Sequence, residues 1–118
     1  MQFLRGYCIL LADPIVPSLN DLDQVQRSQY LCDMALVGDA LLDVTGAYRI
    51  NYAIMGNSDP YLHAHITPRY TDEPEQYRHG LPWSYPKSVS NGTPFSFERD
   101  KELIEQLRKA VGVRTLSD

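Results

Sequence analysis

Tyr61-Leu62-His63-Ala64-His65-Ile66-Thr67-Pro68-Arg69 is the stretch whose reading decides the fold. Its residues alternate, and in a β-strand successive side chains point to opposite faces. Tyr61, His63, His65 and Thr67 therefore share one face, while Leu62, Ala64 and Ile66 share the other and can enter a core. The chain has three histidines, and two of them fall here, about 7 Å apart on one face. Gly56-Asn57-Ser58-Asp59-Pro60 precedes them, a turn-forming run rich in hydrogen-bonding groups. Histidines beside a polar loop make a candidate reaction centre.

Outward from this strand, residues 48–55 alternate again. A loop over 56–60 would make a hairpin in which Met55 pairs with Tyr61, Ala53 with His63 and Asn51 with His65. Arg49, Asn51 and Ala53 then join the histidine face, and Tyr48, Ile50, Tyr52 and Ile54 join the apolar one. A one-residue slip would set the two faces against each other. Further upstream, Asp23 reads as an N-cap with Gln26 completing a capping box, which predicts a helix over residues 24 to about 44 stopped by Gly46. Tyr30, Met34, Val37, Leu41 and Val44 form one stripe on it; Leu31, Ala35, Gly38 and Leu42 form a second. So wide a face marks a main core element that can also meet a partner subunit. Gly38 costs about 1 kcal/mol relative to alanine inside a helix, which a close approach to the sheet would explain. The apolar run over 6–12 fits a buried strand ending at Asp13-Pro14, and Pro14 and Pro17 hold the following connection extended.

Beyond Tyr70 the pattern changes. Residues 72–75 and 81–86 are poor in periodicity, and 88–94 is a polar stretch expected to be a mobile loop. Trp83 and Tyr85 read as a cover for apolar surface rather than as a platform for a base. Arg69 reads either as a group favouring anionic ligands or as a solvated surface arginine. Ser96 can cap a final helix to about residue 111, with Leu103, Ile104, Leu107, Ala110 and Val111 buried. The expectation is one α+β domain over 1–118, its core in 6–70 and an irregular tail with a terminal helix in 71–118.

Composition bounds the partners. A length of 118 residues suits a single domain. The net charge of −4 argues against binding polymeric nucleic acid, which needs a basic footprint, but leaves room for a small nucleotide. Cys8 and Cys32 show no metal-type spacing and read as buried free thiols in a reducing compartment. No run approaches the length of a membrane span, and the N-terminus lacks a signal-peptide pattern, so the expected location is cytoplasmic.

The run from Asn51 to Tyr70, with Gly56-Asn57 and Pro60 before the histidines and Pro68-Arg69 after them, resembles the signature of the histidine triad (HIT) nucleotide hydrolases and transferases. That motif alternates three histidines with apolar residues. Its second and third histidines fall on His63 and His65, and its first position holds Tyr61. The resemblance implies an antiparallel sheet with a long helix and a C-terminal helix. Family members usually carry a further strand upstream of the position of Gly6 that supplies part of the base and ribose pocket, a segment this sequence lacks. His63 would attack the α-phosphorus of a nucleotide, His65 and Asn57 would contact the phosphate, and Ser58 would help. The backbone carbonyl at Tyr61 would orient the nucleophile. The implied chemistry uses no metal or other cofactor, and HIT proteins are commonly homodimers.

The residues support that chemistry in their own right. An imidazole with an unperturbed pKa of about 6.5 is largely unprotonated near neutrality and nucleophilic. Attack at phosphorus needs nearby donors for the phosphoryl oxygens. Three alternatives stand beside it. The histidines are structural; His63, His65 and His79 hold a metal; or the protein binds nucleotides without turning them over, because Tyr61 alters the motif and the N-terminal segment before Gly6 is short.

Overall fold

The computed structural model describes residues 2–116, with side chains through residue 113. The last two residues of the expected tail lie outside it. Strands β1 (Cys8–Leu11), β2 (Arg49–Ile54) and β3 (His63–Arg69) form an antiparallel sheet in the order β1-β3-β2. The histidine strand is thus central. Helix α1 (Gln24–Thr45) lies between β1 and β2 in the chain. Its Tyr30 and Leu41 join Leu62, Ala64 and Ile66 of the sheet's apolar face in one buried cluster.

Local signals set the ends of α1. Asp23 accepts a hydrogen bond from the Gln26 amide at 2.8 Å, and the Gln26 side chain accepts from the Asp23 amide at 3.2 Å. Gly46 ends the helix in the left-handed region at φ 75°, where a side chain would be strained. Gly38 is the predicted close approach: a Cβ there would sit 1.9 Å from the Tyr52 hydroxyl oxygen. The Tyr30 hydroxyl donates to the Leu10 carbonyl at 2.9 Å and ties the helix to β1. The second predicted stripe is mostly surface, since Leu31, Ala35 and Leu42 are exposed and Gly38 alone is buried.

The hairpin register differs from the expected one by two residues. Ala53 faces His65 and Asn51 faces Thr67. A shift of two preserves the faces, so Asn51 and Ala53 still stand on the histidine side. The connection runs from Met55 to Leu62 because Leu62 bonds elsewhere. Its amide donates to the Val16 carbonyl at 2.8 Å, and its carbonyl accepts from the Ala12 amide at 3.3 Å. Tyr61 and Leu62 therefore leave the β2 ladder, and Leu62 docks against the end of β1 and the proline-rich connection after it.

The tail is more ordered than its sequence suggests. It contains the short helices α2 (Glu75–Arg78) and α3 (Lys87–Ser90), a 3-10 turn at Pro82–Ser84, and then α4 (Phe97–Leu116), which packs on α1. The stretch expected to be a mobile loop thus begins within α3. At α4 the expected serine cap runs in the other direction: the Asp100 carboxylate accepts the Ser96 amide at 3.0 Å. Leu103 is buried, and Ile104, Leu107, Ala110 and Val111 are half-buried.

Arg69 organises this tail and corrects both readings of it. It is 2% exposed, neither a solvated arginine nor a group open to an anionic ligand. Its guanidinium pairs with Glu73 at 3.0 Å and donates to Asn51 Oδ1 and to the carbonyls of Tyr77 and Gly80. Glu73 also accepts from the Tyr85 hydroxyl at 2.6 Å and the Tyr70 amide at 2.7 Å. One buried ion pair therefore joins the end of β3, the strand beside it and the chain as far as Tyr85.

Cys8 is half-buried and Cys32 exposed, both as free thiols, so the expectation of two buried thiols fails at Cys32. Burial pushes the Cys8 thiol up to about 11, which keeps it protonated at neutral pH. No helix among the described residues is long and apolar enough to cross a membrane.

Candidate active site

The strand alternation places His63 and His65 side by side on the sheet face away from α1, with ring centroids 5.0 Å apart. His63 is 6% exposed. Its Nδ1 lies 2.8 Å from the Tyr61 carbonyl oxygen. A carbonyl can only accept, so in the neutral ring Nδ1 carries the hydrogen and Nε2 carries the lone pair. The backbone two residues upstream thus fixes both the tautomer and the orientation of the ring. The Tyr61 side chain does not take part in that bond; its ring lies beside His63 at 4.8 Å.

His65 is held differently. Its Nδ1 is hydrogen-bonded to the Tyr7 hydroxyl. Burial lowers its pKa, the neighbouring His63 lowers it further, and Asp59 opposes both. His65 is therefore neutral at pH 7, with one nitrogen committed to Tyr7 and Nε2 left for a ligand. Burial raises the Tyr7 pKa, which keeps that hydroxyl protonated. Because Ile9 faces His65 and Leu11 faces His63 across the ladder, Tyr7 continues the same face beside Thr67.

Two cavities open on this face. The first, about 420 Å³, has a floor of Asn51, Ala53, His65 and Thr67 and is walled by residues 79–83. The second, about 500 Å³, lies over Tyr7 and Thr67 and is closed by Phe3 and residues of the 82–91 segment. Trp83 borders both and meets His65 edge to face at 5.7 Å. Tyr85 is 9% exposed, packed against the Tyr77 ring and edge to face with Phe3, in keeping with its reading as a cover. Trp83 is less enclosed, at 45% exposed, and its ring meets His65 at the border of the two cavities.

Asn57 and Ser58 are exposed in the loop that enters β3 and line neither cavity. His79 lines the first cavity with His65. Among the described residues, no three His, Cys, Asp or Glu side chains gather as metal ligands would. Tyr7 and Trp83 are the site residues that sequence reasoning missed. Face parity in β1 could have given Tyr7 once the β1–β3 pairing was known. Trp83 depends on the path of the tail, for which the sequence carries no periodic signal.

This α+β fold, a three-stranded antiparallel sheet under one long helix, matches that of solved histidine triad proteins. A crystal structure of a histidine triad protein from Bradyrhizobium japonicum matches with a TM-score of 0.71 and 26% identity, over 89% of this chain and 75% of that one. A histidine triad protein from Sinorhizobium meliloti matches at 0.72 with 23% identity, over 88% and 73% of the two chains. One from Marinobacter aquaeolei matches at 0.71 with 19% identity, over 90% and 74%. No family model matches the chain, and no curated protein matches it significantly.

Proposed function

We propose that the protein is a HIT-type hydrolase or nucleotidyl transferase acting on the α-phosphate of a small nucleotide through a covalent intermediate on His63. Candidate substrates are nucleoside phosphoramidates and dinucleoside polyphosphates. The observation that carries this reading is the Tyr61 carbonyl at 2.8 Å from His63 Nδ1. That bond directs the lone pair to Nε2, the state required of a nucleophile. Loss of the motif's first histidine side chain leaves this arrangement untouched, because the orienting atom belongs to the backbone.

In this scheme His63 Nε2 attacks phosphorus, the leaving group departs with the bonding electrons, and water or another acceptor later releases the nucleotide. His65 offers its remaining nitrogen to a phosphoryl oxygen, and Tyr7 holds the ring in place. Asn57 and Ser58, in the loop that enters β3, are the further donors proposed for the phosphate. Incubation with a panel of nucleotide substrates, acid quench and peptide mapping test the scheme. A nucleotidyl adduct on His63 is expected. Saturable nucleotide binding with no adduct and no turnover would instead identify a binding module, with the Tyr61 ring beside His63 as the first suspect for the lost activity.

A further inference from the structure

A small polar pocket of about 170 Å³ adjoins the first cavity near the start of β2. Arg49, Arg78 and His79 line it together with Asn51 and Arg69. The two spaces share Asn51, His79 and Gly80, so one continues into the other. The strand register places the pocket relative to the histidines. Ala53 faces His65, Asn51 faces Thr67 and Arg49 faces Arg69. Alternate residues of β2 share a face, so Arg49 and Asn51 continue the histidine side of the sheet. About 13 Å of strand separates the level of His65 from that of Arg49.

Arg69 settles what Asn51 can offer there. A guanidinium only donates, and Arg69 Nη1 meets Asn51 Oδ1 at 2.8 Å. The Asn51 carbonyl oxygen is thereby engaged, and its NH2 group is the part left for a ligand. The charge of Arg69 itself is balanced by Glu73. Among the described residues, the arginines in ion pairs are Arg69, Arg99 and Arg108, so Arg49 and Arg78 have no carboxylate partner. Both are held all the same. Arg49 lies over the Tyr48 ring at 5.9 Å, and Arg78 Nη1 donates to the Thr71 carbonyl at 3.1 Å. Two held cations, an amide donor and no aspartate or glutamate in the lining select an anion. The chain carries a net charge of −4, so its overall field does not attract anions and any such affinity is local. Arginine forks match phosphate oxygens, and the space is far smaller than the roughly 300–1,000 Å³ of sites for larger ligands. We infer that the pocket between Arg49 and Arg78 is a second anion site, apart from the histidine pair, that takes a phosphoryl group. The phosphate attacked by His63 belongs at the other end of the first cavity, so the group held here is a distal phosphate of the leaving group. That assignment of the source rests on the proposed nucleotide chemistry; the anion site does not.

Calorimetric titration of the full chain with tripolyphosphate at fixed ionic strength tests the site. Saturable binding is expected, weakened about tenfold in Arg49→Ala and again in Arg78→Ala, as for loss of one charge-assisted hydrogen bond each. Circular dichroism checks the fold of both variants, and Arg49, exposed on the edge strand, is the safer of the two. Lys101→Ala, which removes an exposed charge on α4, should leave the affinity within a factor of about two. His63→Ala should retain the binding. No saturable binding, or binding lost in His63→Ala and kept in both arginine variants, would overturn the site. Steady-state kinetics then identify the source of the anion. In Arg49→Ala the KM for a dinucleoside polyphosphate should rise about tenfold relative to that for a nucleoside phosphoramidate. An unchanged ratio, with binding of inorganic phosphate that still depends on the arginines, would assign the site to free phosphate and overturn its place in the substrate. An adduct on His63 without arginine-dependent anion binding would remove this site and keep the covalent chemistry. Arginine-dependent binding without an adduct would do the reverse.

Discussion

Removing the carboxylate from the Arg69–Glu73 pair tests what positions the site. Both side chains are almost wholly enclosed, at 2% and 4% exposure. Glu73→Ala strips the guanidinium of its carboxylate partner and leaves the Tyr85 hydroxyl and the Tyr70 amide without their acceptor. Breaking a buried ion pair by removing one partner costs about 3–5 kcal/mol, because the surviving charge stays buried. Arg69 keeps its bonds to Asn51 and to the Tyr77 and Gly80 carbonyls, so the lower half of that range, about 3–4 kcal/mol, is the expected loss. For a domain of this size that lowers Tm by roughly 10–15 °C. Urea unfolding followed by circular dichroism gives the free energy, and calorimetry gives Tm. Glu73→Gln, which retains an acceptor of similar shape, should lose less. A loss under about 1 kcal/mol, the scale of an exposed pair, would refute the view that this pair is a buried anchor.

The remaining expectations concern the histidines and acid stability. Tyr61→His should be folded and at least as active as the parent, because the carbonyl that orients His63 is retained; a large fall in turnover at unchanged stability would give the tyrosine side chain a role of its own. His65→Ala should lower turnover by about ten- to a thousandfold, the cost of one stabilising donor. Tyr7→Phe, which removes only the hydroxyl bound to His65, should cost less than His65→Ala, and steady-state kinetics on the pair decide the order. Hydrogen bonding from Arg99 and the Ser96 amide holds the Asp100 carboxyl at about 2. Burial pushes the Glu73 carboxyl up, but hydrogen bonds from Arg69, Tyr85 and Tyr70 outweigh it and hold the group below its usual value. Carboxyls with lowered native pKa stabilise the fold fully above their unfolded values near pH 4 and lose that contribution as pH falls through the native ones. Tm should therefore drop below about pH 4, and Asp100→Asn should flatten the drop; an unchanged acid limb would contradict the assignment at Asp100.

The central features were legible because they rest on short-range rules. Strand alternation placed His63 and His65 on one face and Leu62, Ala64 and Ile66 in the core, and the Asp23–Gln26 box and Gly46 set the ends of α1 within a residue. The hairpin register was not legible. It depends on Leu62 bonding to Ala12 and Val16, contacts some fifty residues away that no turn rule encodes. Arg69 misled for a related reason: an arginine after a proline looks exposed until Glu73 and three backbone carbonyls fold around it. Trp83 and Tyr85 have the same local character, yet Glu73 pulls Tyr85 inside while Trp83 stays at the histidines. Only the tail's path separates them.

The covalent role of His63 is tested most directly by one comparison. Parent protein and His63→Ala are incubated with the same nucleoside phosphoramidate, quenched in acid and analysed by intact mass and peptide mapping. The account predicts a nucleotidyl adduct on the peptide containing His63 in the parent, no adduct in His63→Ala, and turnover reduced by several orders of magnitude in that variant with the fold retained. An adduct on another residue, or undiminished turnover in His63→Ala, would contradict it.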